Sequence, residues 1–266
     1  MMPETKLRTL AVEHLDAHLM IVRFDRPEVH NALNTDTSLD LRDLFGPLAF
    51  TPGDLRCIIL TGRGDKAFSA GGDLKERLGM DDHAWRAQHA IIEEAAYAIL
   101  HCAVPVIAAV NGVAMGGGCE LALCCDFILA ASHARFGLPE VTRGIMPGAG
   151  GTQNLPRAVG ERRAKQLVLT GAHFTAQQGY EWGMVNEIAD ASELMPRAMA
   201  IARTICDNAP IAARQIKKSI HQGLQTDLTS ALAFEVQCYE RMIPTEDRLE
   251  GVRAFNEKRK PIFTGR

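Results

Sequence analysis

The chain has 266 residues, 47% of them hydrophobic and 23% charged, with a formal net charge of -3. This is ordinary globular composition, long enough for one large domain or a domain with an appendage, and it gives no global attraction to nucleic acid or acidic membranes. No run approaches the roughly 20 apolar residues of a membrane span, and the start, Met1-Met-Pro-Glu-Thr-Lys-Leu-Arg8, lacks an apolar signal core. Seven cysteines, an odd number with no Cys-x-x-Cys pair, sit mostly in apolar segments. Reduced core thiols in a soluble, cytoplasmic protein are the expectation.

In chain order, Thr9 to Val12 and Leu19 to Phe24 read as strands of a hairpin around Asp16-Ala17. His14 and His18 have metal-like spacing only on a helix, which this segment is not, so no metal site is expected. Asn34 or Thr35 can cap a helix with Leu39, Leu41, Leu44 and Leu48 as its apolar positions, stopped by Thr51-Pro-Gly-Asp54. Cys57 to Thr61 is a compact buried strand. The loop Gly62 to Asp73 holds four glycines in twelve residues and leads to a polar helical stretch, Leu74 to Arg77. A helix from about Trp85 to His101 carries Ile91, Ile92, Ala95 and Ile99 on one face. An apolar strand follows from Val104, breaks at Asn111-Gly112, and passes through Gly116-Gly-Gly118 into an apolar helix containing Glu120. Phe127 to Ala130 is a further strand, and Asp126 before it reads as a capping or pairing group. Alternating strands and helices imply crossover connections and a mostly parallel α/β sheet.

Beyond Phe136-Gly-Leu-Pro-Glu140 lies a second glycine-rich turn, Pro147-Gly-Ala-Gly-Gly-Thr-Gln153. The remainder reads mainly as helices: Glu161 to Leu169, Ala176 to Trp182, Glu193 to Asn208, Ile211 to His221 and Leu228 to Met242, and the tail from Thr245 to Lys260 can form one more. The change to all-helical sequence divides the chain into residues 1–190 and residues 191–266. No repeat or low-complexity tract is evident.

Two loops, Ala70-Gly-Gly-Asp73 and Gly116-Gly-Gly118, each follow a buried strand and open a helix. Neither has the full spacing of a phosphate- or dinucleotide-binding fingerprint. Singly each is a packing turn; together they offer one backbone N–H each to a polarised carbonyl, an oxyanion hole. Glu120, in an apolar run, and Glu140, after Leu138-Pro139, are the candidate acid and base. Two carboxylates in unequal surroundings hold different protonation states near neutrality. Alternatively, each is a partner for a buried arginine or an exposed residue on a helix. No Gly-x-Ser-x-Gly elbow or Ser/His/Asp set is present.

These residues resemble the crotonase family, the enoyl-CoA hydratase and isomerase superfamily, along nearly the whole chain. The likeness is carried by Arg26-Pro-Glu-Val-His-Asn-Ala-Leu33, Ala67-Phe-Ser-Ala-Gly-Gly-Asp-Leu-Lys75, Pro105 through Glu120, Phe136 through Glu140, Ile145 through Gln153, and Asp247 through Arg259. The resemblance implies a spiral of ββα repeats with a helical C-terminal region that builds trimers, usually paired into hexamers. It implies an acyl-CoA thioester substrate, with coenzyme A as part of that substrate and no separate cofactor. The oxyanion hole would be the N–H groups of Gly72 and Gly117, and loss of one such donor typically costs about 3–4 kcal/mol of transition-state stabilisation. Coenzyme A would lie along Val29, Ala32, Ala70, Asp73, Leu74 and Lys75, and Phe255 and Lys258 would help close the site, from a neighbouring subunit if need be. Glu120 would take the proton of a water adding to C3 of a 2,3-trans-enoyl-CoA, Glu140 would protonate C2, and the Gly148 backbone would contact that water.

The implied activity is enoyl-CoA hydration. The runner-up is a methylglutaconyl-CoA hydratase, which the segments Asp73-Leu-Lys-Glu-Arg77 and Ile243 through Gly251 also resemble; another specialised hydratase or isomerase of the family is a further alternative. An acyl-CoA-binding or RNA-binding scaffold is the reading from another class. The helix leading from Arg77 lacks a lysine run and the chain is net acidic, which disfavours nucleic acid.

Overall fold

A computed structural model describes residues 7–266, so the charged start that lacks a signal core lies mostly outside the described residues. The chain opens with strands β1 (Leu10–His14) and β2 (Leu19–Phe24), then α1 (Thr35–Phe45), β3 (Cys57–Gly62), β4 (Ala67–Ser69), α2 (Leu74–Arg77) and α3 (Asp82–Leu100). Next come β5 (Val106–Val110), β6 (Val113–Met115), α4 (Gly117–Cys124), β7 (Phe127–Ala131) and β8 (Arg135–Gly137). These are followed by α5 (Gly151–Val159), α6 (Glu161–Thr170), β9 (His173–Thr175), α7 (Ala176–Glu181) and β10 (Glu187–Ala189). Helices α8 (Leu194–Asp207), α9 (Pro210–Gly223), α10 (Leu228–Glu240) and α11 (Glu246–Asn256) close the chain.

The strands form a six-stranded sheet, β1-β2-β3-β5-β7-β10, and a four-stranded one, β4-β6-β8-β9. Only β1 against β2 and β8 against β9 are antiparallel. Chain order and sheet order together define a spiral. Each of β3, β5 and β7 lies in the large sheet, is followed within a few residues by β4, β6 or β8 in the small sheet, and leads on to a helix. This is the ββα repeat that the family resemblance implied. The repeat is invisible in the sequence because its second strand is three residues long, too short to show a period of two. For the same reason β4 lies in a stretch that reads as loop, and β8 in one that shows no element. Helix α5 lies in what reads as a turn and its sequel, because it opens on glycine and contains Pro156, both poor helix signals.

The large sheet is covered on both faces, so β3 and β5 are buried at every position. The expected helix face is partly confirmed: Leu41, Leu44 and Leu48 are buried, Leu48 in a short 3-10 turn after α1, while Leu39 is half-buried and Asp40 takes the inward place. There Asp40 Oδ2 accepts the Thr9 N–H and hydroxyl at 2.8 and 2.9 Å, which satisfies a carboxylate otherwise costly to bury. Asp126 acts as a pairing group, its Oδ2 accepting from Val106 N–H and Lys217 Nζ, both at 2.7 Å, and so tying α9 to the sheet.

Candidate active site

Two glycine turns meet beside the small sheet. In the first, Leu33 N–H donates to Gly71 O at 2.8 Å and Asp73 N–H donates to Leu33 O at 2.9 Å, an isolated parallel bridge between Leu33 and Gly72. Groups alternate in direction along extended backbone, so the N–H of Gly72 itself turns away from Leu33, and it joins none of the loop's backbone hydrogen bonds. In the second turn, Gly116 adopts φ 52°, ψ -127°, a conformation essentially restricted to glycine, and a Cβ there would stand 2.8 Å from Glu140 Oε1. Helix α4 starts at Gly117, whose N–H has no intrahelical acceptor. The turns approach closely because Gly118 lacks a side chain: a Cβ on it would meet Ser69 O at 2.3 Å. A Cβ placed on Gly117 would lie 3.9 Å from the Gly72 nitrogen, so two unpaired donors stand side by side.

They open on a cavity of about 770 Å³ whose walls include Gly72, Gly117, Glu120, Glu140 and Gly148. Ala70 and Leu74 also line it. Val29, Ala32, Asp73 and Lys75 do not, and Asp73 has structural work instead. Its side chain caps α2 through Lys75 and Glu76 N–H and accepts from Arg26 Nη2 at 3.0 Å, while Arg26 Nη1 donates to Ala32 O at 2.7 Å. Phe255 is 84% exposed, and within one chain neither it nor Lys258 reaches the cavity.

Glu120 projects from the first turn of α4 and is 3% exposed. Its Oε1 accepts the N–H groups of Ala149 and Gly151, both at 2.8 Å, at the start of α5. Burial pushes its carboxyl above the ordinary 4.5, and the backbone donors of Gly151, Ala149 and Gly148 oppose that rise. Glu140 opens a 3-10 turn (Glu140–Arg143) after Pro139 and is half-buried, and its Oε2 is buried without a hydrogen-bond partner. Burial first, with the nearby Glu120 charge adding to it, pushes its carboxyl up to about 7. The pair thus combines a carboxylate steadied by N–H donors with one that readily carries a proton. Such a pair can hold and deprotonate water and protonate a carbon, while the two unpaired N–H groups beside it can stabilise charge on a carbonyl oxygen.

A family model described as enoyl-CoA hydratase/isomerase matches residues 15–266. This chain belongs to the enoyl-CoA hydratase/isomerase family. It is similar to crotonyl-CoA hydratase of Syntrophomonas wolfei, 42% identical over 245 residues that cover 92% of this chain and 94% of that protein. It is similar also to short-chain-enoyl-CoA hydratase of Clostridium acetobutylicum, 41% identical with the same coverage. Among solved structures, enoyl-CoA hydratase from Bacillus anthracis matches with a TM-score of 0.94 and 42% identity, covering 97% of this chain and 100% of that one.

In this family member, sequence reading left several cavity residues unassigned. Trp85, His89, Ile92, Glu93 and Tyr97 line it from α3, together with Arg77 from α2. The i+3 and i+4 steps 85–89–92 and 89–93–97 place these five on one helix face, a signal that the neighbouring buried positions Ala95 and Ile99 mask. His89 also packs on Gly148, where a Cβ would fall 2.3 Å from its Cε1. Among the described residues no helix is long and apolar enough to cross a membrane.

Proposed function

We propose that this chain is an enoyl-CoA hydratase that adds water across the double bond of a 2,3-trans-enoyl-CoA, giving the 3-hydroxyacyl-CoA during acyl-CoA breakdown. The observation that carries this reading is the placement of two glutamates of unlike surroundings in one cavity with two unpaired backbone donors. The thioester oxygen binds Gly72 and Gly117 N–H, which stabilise it as electrons move toward it and an enolate forms. Glu120, ionised, takes a proton from water as its oxygen bonds to C3; Glu140, protonated, delivers a proton to C2 as the carbonyl re-forms. The Gly148 backbone helps hold the water. Coenzyme A enters as part of the substrate. Purified protein is expected to bleach the enoyl-thioester absorbance of crotonyl-CoA. Inactivity on short, medium and branched enoyl-CoA alike overturns the proposal.

Residues 191–266 are read as the region that joins subunits into a trimer or a pair of trimers. Support comes from α10, where Leu228, Leu232, Val236 and Tyr239 form a stripe at steps of four, four and three and are 53–74% exposed. Such assembly gives Phe255 and Lys258 a neighbour's cavity to close. Light scattering that finds a monomer rules it out.

A further inference from the structure

Arg77 is the cavity's most carefully positioned cation. It is half-buried, and burial pulls its guanidinium below the ordinary value. Its Nε donates to Gln88 Oε1 at 2.8 Å, and its Cζ stands 4.5 Å from the centre of the Trp85 ring. Gln88 is 5% exposed and fixed in turn, its Nε2 donating to Glu76 Oε2 at 2.7 Å and to Thr35 Oγ1 at 2.9 Å. The nearby carboxylates are engaged elsewhere: Glu76 also accepts Thr35 N–H at 3.0 Å, and Glu93 pairs with His89 at 3.2 Å. Among the described residues Nη1 and Nη2 donate to nothing, and a Cβ on Gly72 would lie 3.8 and 3.9 Å from them. The free fork therefore stands beside the oxyanion donor.

A half-buried guanidinium held by stacking and one hydrogen bond, with both terminal nitrogens unpaired on a residue that lines the cavity, matches a planar anion that accepts two parallel N–H bonds. Leaving it unpaired is unfavourable, and a ligand carboxylate completes it. With the thioester oxygen on Gly72 and Gly117, an extended five-carbon acyl chain carries its far carboxyl carbon about 5 Å from the thioester carbon, given carbon–carbon bonds of about 1.5 Å. The fork, whose nitrogens would lie 3.8 and 3.9 Å from a Cβ on Gly72, belongs to a residue lining the same cavity.

We propose that Arg77, set by Gln88 and Trp85, binds a second carboxylate at the far end of the acyl group, so that the substrate class is a short 2-enoyl-CoA bearing a terminal carboxylate. This rests on the hydratase reading, and it selects the carboxylated substrates of the runner-up over simple alkenoyl chains. The same fork would also suit a phosphate of coenzyme A, which every acyl-CoA shares. The test compares crotonyl-CoA with 4-carboxybut-2-enoyl-CoA on wild type and Arg77→Gln. The ratio of kcat/KM for the carboxylated over the plain substrate should fall about 30-fold or more in the variant, with Arg77→Lys between the two. An unmoved ratio, with both substrates losing rate together, assigns Arg77 to coenzyme A or to folding and overturns the proposal. Inhibition of wild type by glutaryl-CoA and butyryl-CoA needs no variant: glutaryl-CoA should bind at least about tenfold tighter, and equal binding also overturns it. A wild type inactive on both enoyl substrates overturns the role of Arg77, and if it is inactive on medium and branched enoyl-CoA as well it breaks the hydratase reading itself, whereas activity on crotonyl-CoA with an unmoved ratio breaks only the role of Arg77.

Discussion

Glu120 stands on the first turn of α4 with one oxygen held by two backbone N–H groups, whereas Glu140 opens a 3-10 turn and keeps a buried oxygen without a partner. Both are raised above the ordinary carboxylate value by burial; three backbone donors, of Gly151, Ala149 and Gly148, act against the rise at Glu120, whereas Glu140 has its own backbone N–H and the Arg143 charge against it and the Glu120 charge adding to it. The amide cradle favours the ionised form at Glu120, and the missing partner favours the protonated form at Glu140. Their division into base and acid is therefore a matter of backbone placement. Neither residue's immediate sequence neighbours decide it.

The largest effect expected from this contrast is kinetic. Glu120→Gln and Glu140→Gln should each lower turnover on an enoyl-CoA by about 10²–10⁴-fold while leaving affinity for a saturated acyl-CoA nearly intact. In Glu120→Gln the amide oxygen must face Ala149 and Gly151 N–H, which turns an NH₂ that cannot accept a proton toward the cavity. A variant at either position that keeps near-full rate removes that residue from the proposed chemistry.

A smaller effect should appear in the pH profile. Hydration needs Glu120 ionised and Glu140 protonated. As pH rises through about 7, Glu140 loses its proton, so kcat/KM should decline on that side, approaching tenfold per pH unit. The acid limb belongs to Glu120 and should lie above the 4.5 of an ordinary glutamate. Profiles report on the pair, since the two charges interact. A rate independent of pH between about 5 and 9 contradicts the assignment.

Much of this site was legible before any coordinates. The two glycine loops after buried strands and the carboxylates Glu120 and Glu140 in apolar surroundings stand out in the sequence, the family resemblance narrows the loops to Gly72 and Gly117, and all four residues line one cavity. The large sheet was legible too, because strands such as Cys57–Gly62 are long apolar runs. The small sheet was not: β4 and β6 are three residues each, and their pairing depends on contacts distant in sequence. Asp73 carries the same chemistry whether it meets a ligand or Arg26, and only the fold brings Arg26 within 3.0 Å. Arg77 was hidden for a related reason. Its positioning depends on Gln88 and Trp85 from the next helix, and no local pattern announces an arginine with a free fork.

The smallest effect concerns stability and has the opposite sign to the loss of rate. Since the folded chain raises the Glu140 carboxyl from 4.5 to about 7, it holds that proton more tightly than the unfolded chain does. The resulting stabilisation is full below about pH 4.5 and disappears as pH rises through about 7, where an ionised, poorly partnered carboxylate must be accommodated. A shift of this size amounts to about 3 kcal/mol for a fully buried group, and solvent screening of a half-buried one reduces it to about 1–2 kcal/mol. Glutamine stays neutral throughout, so Glu140→Gln should be the more stable protein at pH 8, melting about 2–6 °C higher, with the advantage gone by about pH 4. Glu120→Gln should gain less or lose stability, because the carboxylate it replaces has its own N–H donors. Thermal melts of both variants at the two pH values decide the point. Equal gains at both positions, or a gain at Glu140 that ignores pH, would mean that the backbone donors do not separate the two carboxylates.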